Sequence, residues 1–220
     1  MTMGQTRWYK DIDPKATYLV ALDPSLGTGG DPAGIQVFEL PTFQQVAEWQ
    51  HNRTPIQQQV GILSEITKYL ADTVAQTNIY YSVENNTVGE AALISISEIG
   101  EENIRGIFLS EPRHMGGGRR YRKGFNTTNK SKISACAKLK NLLESRRMTV
   151  YSRPLISELK TFVAHGASYA AKPGETDDLV MSLLLIVRMA QMLQSFDSQL
   201  DLTMKDNLED IVEPMPFFIS

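Results

Sequence analysis

Four carboxylates in this sequence stand where hydrophobic runs begin or end. Asp23 follows the β-prone stretch Ala16–Leu22 (ATYLVAL), and Glu84 closes Asn78–Glu84 (NIYYSVE). Asp177 and Asp178 stand side by side ahead of the apolar run LVMSLLLIV. Each has an ordinary use taken alone, since Asp is common in turns and at helix N-termini. Glu84 is harder to explain that way. It interrupts an apolar strand, two asparagines follow it, and no basic residue lies nearby in sequence. A carboxylate in such a place is costly unless it pairs or binds a metal. The Asp177-Asp178 doublet raises the same problem: one can cap a helix, but two adjacent carboxylates repel unless a cation joins them. Oxygen donors without thiolate or imidazole select hard ions, so the expected cofactor is Mg²⁺ or Mn²⁺. Two such ions, about 3.5–4 Å apart, would activate water and stabilise the leaving oxygen of an in-line phosphodiester displacement.

The charge distribution points to the same substrate. The 220-residue chain has a net charge of −3, yet eleven basic residues and one acidic residue fall between Arg113 and Arg147, a local charge of +10. Elsewhere acidic residues outnumber basic ones by thirteen. A basic stripe on an acidic chain is a local footprint for a polyanion. Arg113, Arg119, Arg120, Arg122, Lys123, Lys130 and Lys132 are the candidate phosphate contacts.

Elements to position these residues can be read from periodicity. Ala16–Leu22 and Ala33–Leu40 are strands joined by the glycine-rich turn after Asp23, hence a hairpin, and Phe43–His51 is a third strand. Pro55 opens a helix over Ile56–Ala75, with apolar residues at Ile56, Val60, Leu63, Ile66 and Leu70. Asn78–Glu84 is a strand, Thr87–Glu98 a helix and Ile104–Leu109 a strand. Residues 112–129, with a triple glycine, form a basic loop or hairpin. Helix Asn129–Ser145, strand Met148–Ser152 and helix Leu155–Phe162 follow, and the last helix runs from about Asp177 to Leu193. The expected fold is α/β, a mixed sheet flanked by helices. Residues 1–195 form one domain, and 196–220 form an acidic, Pro- and Phe-containing tail.

Composition removes several classes. The 42% hydrophobic and 21% charged residues are those of an ordinary globular chain. The longest apolar run is broken by Ser182 and Arg188, short of the roughly 20 residues needed to span a bilayer, and no membrane role is expected. Cys136 is the single cysteine, which excludes an internal disulfide and a multi-cysteine zinc site.

The segments LDPSLGTGGDPAG, SVENN, GFNTTNKSK and TDDLVMSLLL, in this order, resemble the nuclease domain of the large terminase subunit of tailed bacteriophages, over about Tyr18–Met192. The resemblance implies an RNase H/RuvC-like fold and a metal-dependent endonuclease. Its task would be to cut concatemeric double-stranded viral DNA at the start and end of packaging. It carries the metal-binding triad onto Asp23, Glu84 and one of Asp177 and Asp178. Asp178 is favoured, because Asp177 can cap the helix. Asp31 matches a further acidic position of the first motif. The implied partners are an ATPase motor in the full-length protein, the portal and the small terminase subunit. The implied setting is the bacterial host cytoplasm, transiently on the procapsid. The chain lacks the G-x-x-x-x-G-K-[ST] loop of such a motor, so it reads as the isolated nuclease domain, able to cut but not to pump. A RuvC-like junction resolvase shares the fold, but no dimer-forming helix is evident. An actin-like or sugar-kinase ATPase would need two such halves. A calcium loop at DPSLGTGGD fails the required ligand spacing. A non-catalytic DNA or portal docking module is the remaining alternative.

Overall fold

The computed structural model describes the backbone of residues 4–115, 118–121 and 123–194, with side chains outside 112–122. A six-stranded mixed sheet forms its centre. The strands are β1 (Arg7–Trp8), β2 (Thr17–Asp23), β3 (Ala33–Leu40), β4 (Gln44–His51), β5 (Ile79–Val83) and β6 (Ile107–Phe108), in the spatial order β1-β4-β3-β2-β5-β6. The first four pair antiparallel. β2 then pairs parallel with β5, and β5 with β6. β2 and β3 are buried almost throughout, so both read as near-continuous apolar runs rather than alternating ones.

Two helical layers cover the sheet. Helices α1 (Ile56–Ala71) and α2 (Thr87–Ile99) pack on one face against Tyr18, Val20, Leu22, Ile35 and Val37. Helices α3 (Asn129–Glu144), α4 (Arg153–Thr161) and α5 (Asp178–Leu193) pack on the other face against Leu19, Ala21, Phe38 and Leu40. Each buried leucine or isoleucine in these layers is worth about 1.5–3 kcal/mol of transfer free energy. α5 crosses β2 and β3 and is buried nearly all round, including Arg188. That buried cation is fully engaged. Its guanidinium donates to both carboxylate oxygens of Glu111 at 3.0 Å, to Thr127 Oγ1 and to Asn126 O, and it lies over the Phe125 ring.

The strands and helices expected around the acidic residues are present, with four corrections. Met148–Ser152 is not a strand; only Thr149 bridges to Gln44, because the Gln45 side-chain oxygen takes the next donors, the N–H groups of Tyr151 and Ser152. The last edge strand is only Ile107–Phe108 rather than Ile104–Leu109; Ile104–Gly106 form a bend after the 3₁₀ turn at Glu101–Asn103, with Gly106 at φ +106°. α1 stops at Ala71, short of Ala75. Phe162 leaves α4 to open a hairpin, β9 (Phe162–His165) with β10 (Ser168–Ala171), whose two short, alanine-rich strands carry no clear period-2 alternation. The basic segment does form a hairpin, β7 (Pro112–Met115) with β8 (Gly118–Tyr121). Residues 196–220 lie outside the described residues.

Candidate metal centre

The parallel pairing of β2 with β5 creates the site. Leu22 pairs with Val83, and the Glu84 N–H donates to Leu22 O at 3.0 Å, so Asp23 and Glu84 end adjacent strands side by side. Side chains alternate along a strand. Asp23 therefore shares a face with Leu19 and Ala21, and Glu84 with Ser82, the face covered by α3–α5. Both carboxylates are buried, at 8% and 6% exposure, and they lie close enough for Glu84 to raise the Asp23 carboxyl.

α5 brings the aspartate doublet to the same place. Asp23 pairs across the ladder with Gly34. A Cβ on Gly34 would lie 3.0 Å from Asp178 O and 3.2 Å from Ser182 Oγ. Glycine at this position lets the first turn of α5 rest directly on the strand beside Asp23. Asp23, Asp31, Glu84, Asp177 and Asp178 then line one open cleft of about 630 Å³, together with Ser25, Thr28, Asn86, Thr127, Thr128, Asn129, Lys132 and Ser168.

Polar braces hold the floor of the cleft. Asn86 caps α2 by accepting from Gly89 N at 2.8 Å, and its amide donates to Glu84 Oε2 at 3.1 Å. Gly89 is tight against this point: a Cβ there would lie 1.9 Å from Glu84 O. The turn after Asp23 is fixed by buried Gln59. Its Nε2 donates to Ser25 O and Thr54 O, and its Oε1 accepts from Ser25 N.

The electrostatics are those of crowded acids. Burial raises the Asp23 carboxyl well above its ordinary range, and Glu84, Asp178 and Asp177 push it further in the same direction. Burial, then Glu158 and Asp177, push Asp178 up to about 7. Such a group of carboxylates either holds protons or takes a cation. All donors are oxygen, which fits a hard divalent ion. Among the described residues no group of three or more His, Cys, Asp or Glu side chains is gathered closely enough to hold a metal ion as it stands. What is built is the side-by-side Asp23–Glu84 pair at two strand ends, with Asp178 on the adjoining wall.

One expected detail is overturned. Asp177 occupies the N-cap position of α5, yet its side chain makes no capping bond and reaches toward Lys132 Nζ at 3.8 Å. The cap comes instead from Glu158 of α4, which accepts from the N–H groups of Leu179 and Val180. Sequence reasoning missed Glu158. Its signal is an acid on the buried stripe Leu155, Glu158, Leu159, at i, i+3, i+4.

The basic stripe divides. Lys132 enters the cleft and packs over the Phe162 ring. Lys130 is exposed on the first turn of α3, and Lys123 is ion-paired with Glu101 at 2.8 Å, outside the cleft lining. Arg113, Arg119 and Arg120 have their backbones on the β7–β8 hairpin, with side chains outside the described residues; Arg122 lies outside them altogether.

Residues 20–190 match the terminase RNaseH-like domain. The chain belongs to that family. Solved terminase nucleases share its fold. The large terminase nuclease of thermophilic phage G20c, with bound magnesium, superposes with a TM-score of 0.63 at 18% identity, over 86% of this chain and 89% of that one. The Thermus phage P74-26 large terminase nuclease domain gives 0.58 at 18% identity, over 82% and 83%. The human cytomegalovirus terminase nuclease domain gives 0.57 at 14% identity, over 85% and 86%. The mixed sheet between two helical layers is thus the RNase H-like sheet of the terminase family.

Proposed function

We propose that this terminase RNaseH-like domain is a divalent-metal-dependent endonuclease that cuts double-stranded viral DNA at the start and end of packaging. The observation that carries the reading is the buried Asp23–Glu84 pair at the ends of two parallel strands, with Asp178 on the α5 terminus above it. Asp23 and Glu84 would hold Mg²⁺ or Mn²⁺, with Asp178 as the third carboxylate and Asp177 and Asp31 adding negative potential at the rim. A bound ion pair would supply an activated water and charge stabilisation at the leaving oxygen. Mg²⁺ keeps several of its waters, so carboxylates that do not form a closed cage suit it.

The chain's own residues do the rest. Asn86 orients Glu84 through Oε2, and Gln59 fixes the Ser25 turn that forms one wall. Lys132 supplies the cation nearest the carboxylates, placed to meet a phosphate oxygen entering the cleft. The cleft is open rather than enclosed, as a duplex substrate requires. The arginines of the β7–β8 hairpin and Lys130 would extend the phosphate contacts beyond it. In the full-length protein the domain would act beside an ATPase motor and meet the portal and small terminase subunit in the host cytoplasm.

The test is cleavage of supercoiled plasmid with Mn²⁺ or Mg²⁺, with EDTA as control. Wild-type protein should nick and linearise with little sequence preference. Asp23→Asn, Glu84→Gln and Asp178→Asn should not cut while keeping the wild-type circular dichroism. Cutting by Asp23→Asn at the wild-type rate would remove the assignment.

A further inference from the structure

Glu158 is a buried carboxylate beside the cleft that does not line it. It projects from α4 into the junction of α4, β4 and the start of α5, and both of its oxygens are fully used. Oε2 accepts from Leu179 N at 2.9 Å and Val180 N at 3.2 Å. Oε1 accepts from Gln50 Nε2 at 3.0 Å and Thr176 Oγ1 at 3.1 Å. Four donors aimed at one carboxylate leave no lone pair for a metal ion.

The first N–H groups of a helix have no partner within the helix, and the residue at the N-cap ordinarily supplies one. Asp177 holds that position here, with an unengaged cap and its carboxylate directed toward Lys132. Had Asp177 folded back onto Leu179 or Val180, its charge would have turned away from Lys132 and the cleft. Glu158 removes that competition by taking the same N–H groups from a neighbouring helix.

We propose that Glu158 is the positioning residue of the metal centre: it caps α5 in trans and so frees Asp177 and Asp178 to face the cleft. The inference rests on the reading of Asp23, Glu84 and Asp178 as metal ligands. Residues that orient metal ligands typically change metal affinity by 10–100-fold when altered. A carboxylate accepts at both oxygens. In Glu158→Gln one oxygen becomes an NH₂, so either the Leu179 and Val180 N–H groups lose their acceptor or the Thr176 hydroxyl and the Gln50 amide must turn round to accept from it.

The experiment measures Mn²⁺ binding to the whole chain by electron paramagnetic resonance and calorimetry, without DNA. Glu158→Gln is compared with wild type, with Asp23→Asn, and with Leu70→Ala. Leu70 lies on the buried side of α1, on the opposite face of the sheet. Glu158→Gln should weaken Mn²⁺ binding about 10-fold or more, while DNA binding in EDTA stays within twofold of wild type. Leu70→Ala should lower the melting temperature and leave Mn²⁺ affinity unchanged. Thr176→Val, which removes one bond to Oε1 and keeps the cap, should shift affinity in the same direction by less. It carries the test if Glu158→Gln does not fold.

Mn²⁺ affinity of Glu158→Gln within twofold of wild type overturns the proposal, as does an equal loss in Leu70→Ala. If Glu158→Gln does not fold, Thr176→Val binding as tightly as wild type overturns it. If wild type binds Mn²⁺, Asp23→Asn does not, and Glu158→Gln matches wild type, only the role of Glu158 falls. If wild type binds no Mn²⁺, the metal reading falls and this inference with it.

Discussion

Replacing Asp23 by asparagine should make the metal-free domain more stable while abolishing its function. Asp23 is 8% exposed, and burial together with the charges of Glu84, Asp178 and Asp177 opposes its ionisation. Asparagine has nearly the same shape and can donate its amide to Glu84 without bringing a charge. A buried group whose desolvation is uncompensated costs about 1–3 kcal/mol, and more when charged. Relief of that cost, at about 2–4 °C per kcal/mol for a domain of this size, gives a rise in Tm of roughly 2–12 °C.

The assay is thermal melting by circular dichroism at neutral pH, in EDTA and then with Mg²⁺. Wild type should gain stability with Mg²⁺ through mass action, and Asp23→Asn should not respond. The pH dependence has a fixed sign. Asp178 is pushed from 3.8 up to about 7 and Asp23 is raised in the same direction, so the folded state holds protons that the unfolded chain releases near pH 4. That contribution is fully present below about pH 4 and is lost as pH rises through 7. Wild-type stability in EDTA should therefore fall across this window, and Asp178→Asn should flatten part of the fall. An Asp23→Asn protein that melts several degrees below wild type in EDTA would refute the claim that the acidic cluster is held at a cost to the fold.

Three other outcomes are expected. Gly89→Ala places a Cβ 1.9 Å from Glu84 O, so α2 or Glu84 must shift; stability should drop by about 1–3 kcal/mol in denaturant melts, and plasmid nicking should drop with it. Lys132→Ala should weaken DNA binding and reduce the slope of log K against log salt by about 0.9. Lys123→Ala, at a lysine already paired with Glu101, should change both much less, each read by fluorescence titration of a labelled duplex across a salt series. The Cys136 thiol, buried and pushed up to about 12, should not react with a disulfide reagent at pH 8 until the protein is denatured.

The acidic residues were legible one by one because each breaks an apolar run, a local property of sequence. Most of the strands and helices around the site followed from periodicity and turn residues in the same local way, while β1 and the β9–β10 hairpin did not. Two failures mark the limit of such reading. The ladder expected at Met148–Ser152 was lost to the side chain of Gln45, more than a hundred residues away. The cap expected from Asp177 was supplied by Glu158, from another helix. Both turn on competition between a near donor or acceptor and a distant one, which sequence spacing does not rank.

The sequence by itself determined the chemistry available: carboxylate oxygens for a hard cation, a basic segment for phosphates, and too little sulfur or imidazole for other metals. Only the tertiary structure decided the arrangement. Parallel pairing of β2 with β5 brings Asp23 to Glu84, and Gly34 lets α5 come down beside them. Lys132 enters the cleft while Lys123 turns to Glu101. The reason is that a side chain's type is fixed locally. Its neighbours, and hence its charge state and use, depend on which strand ends and helix termini the packed sheet brings within a few ångströms of each other.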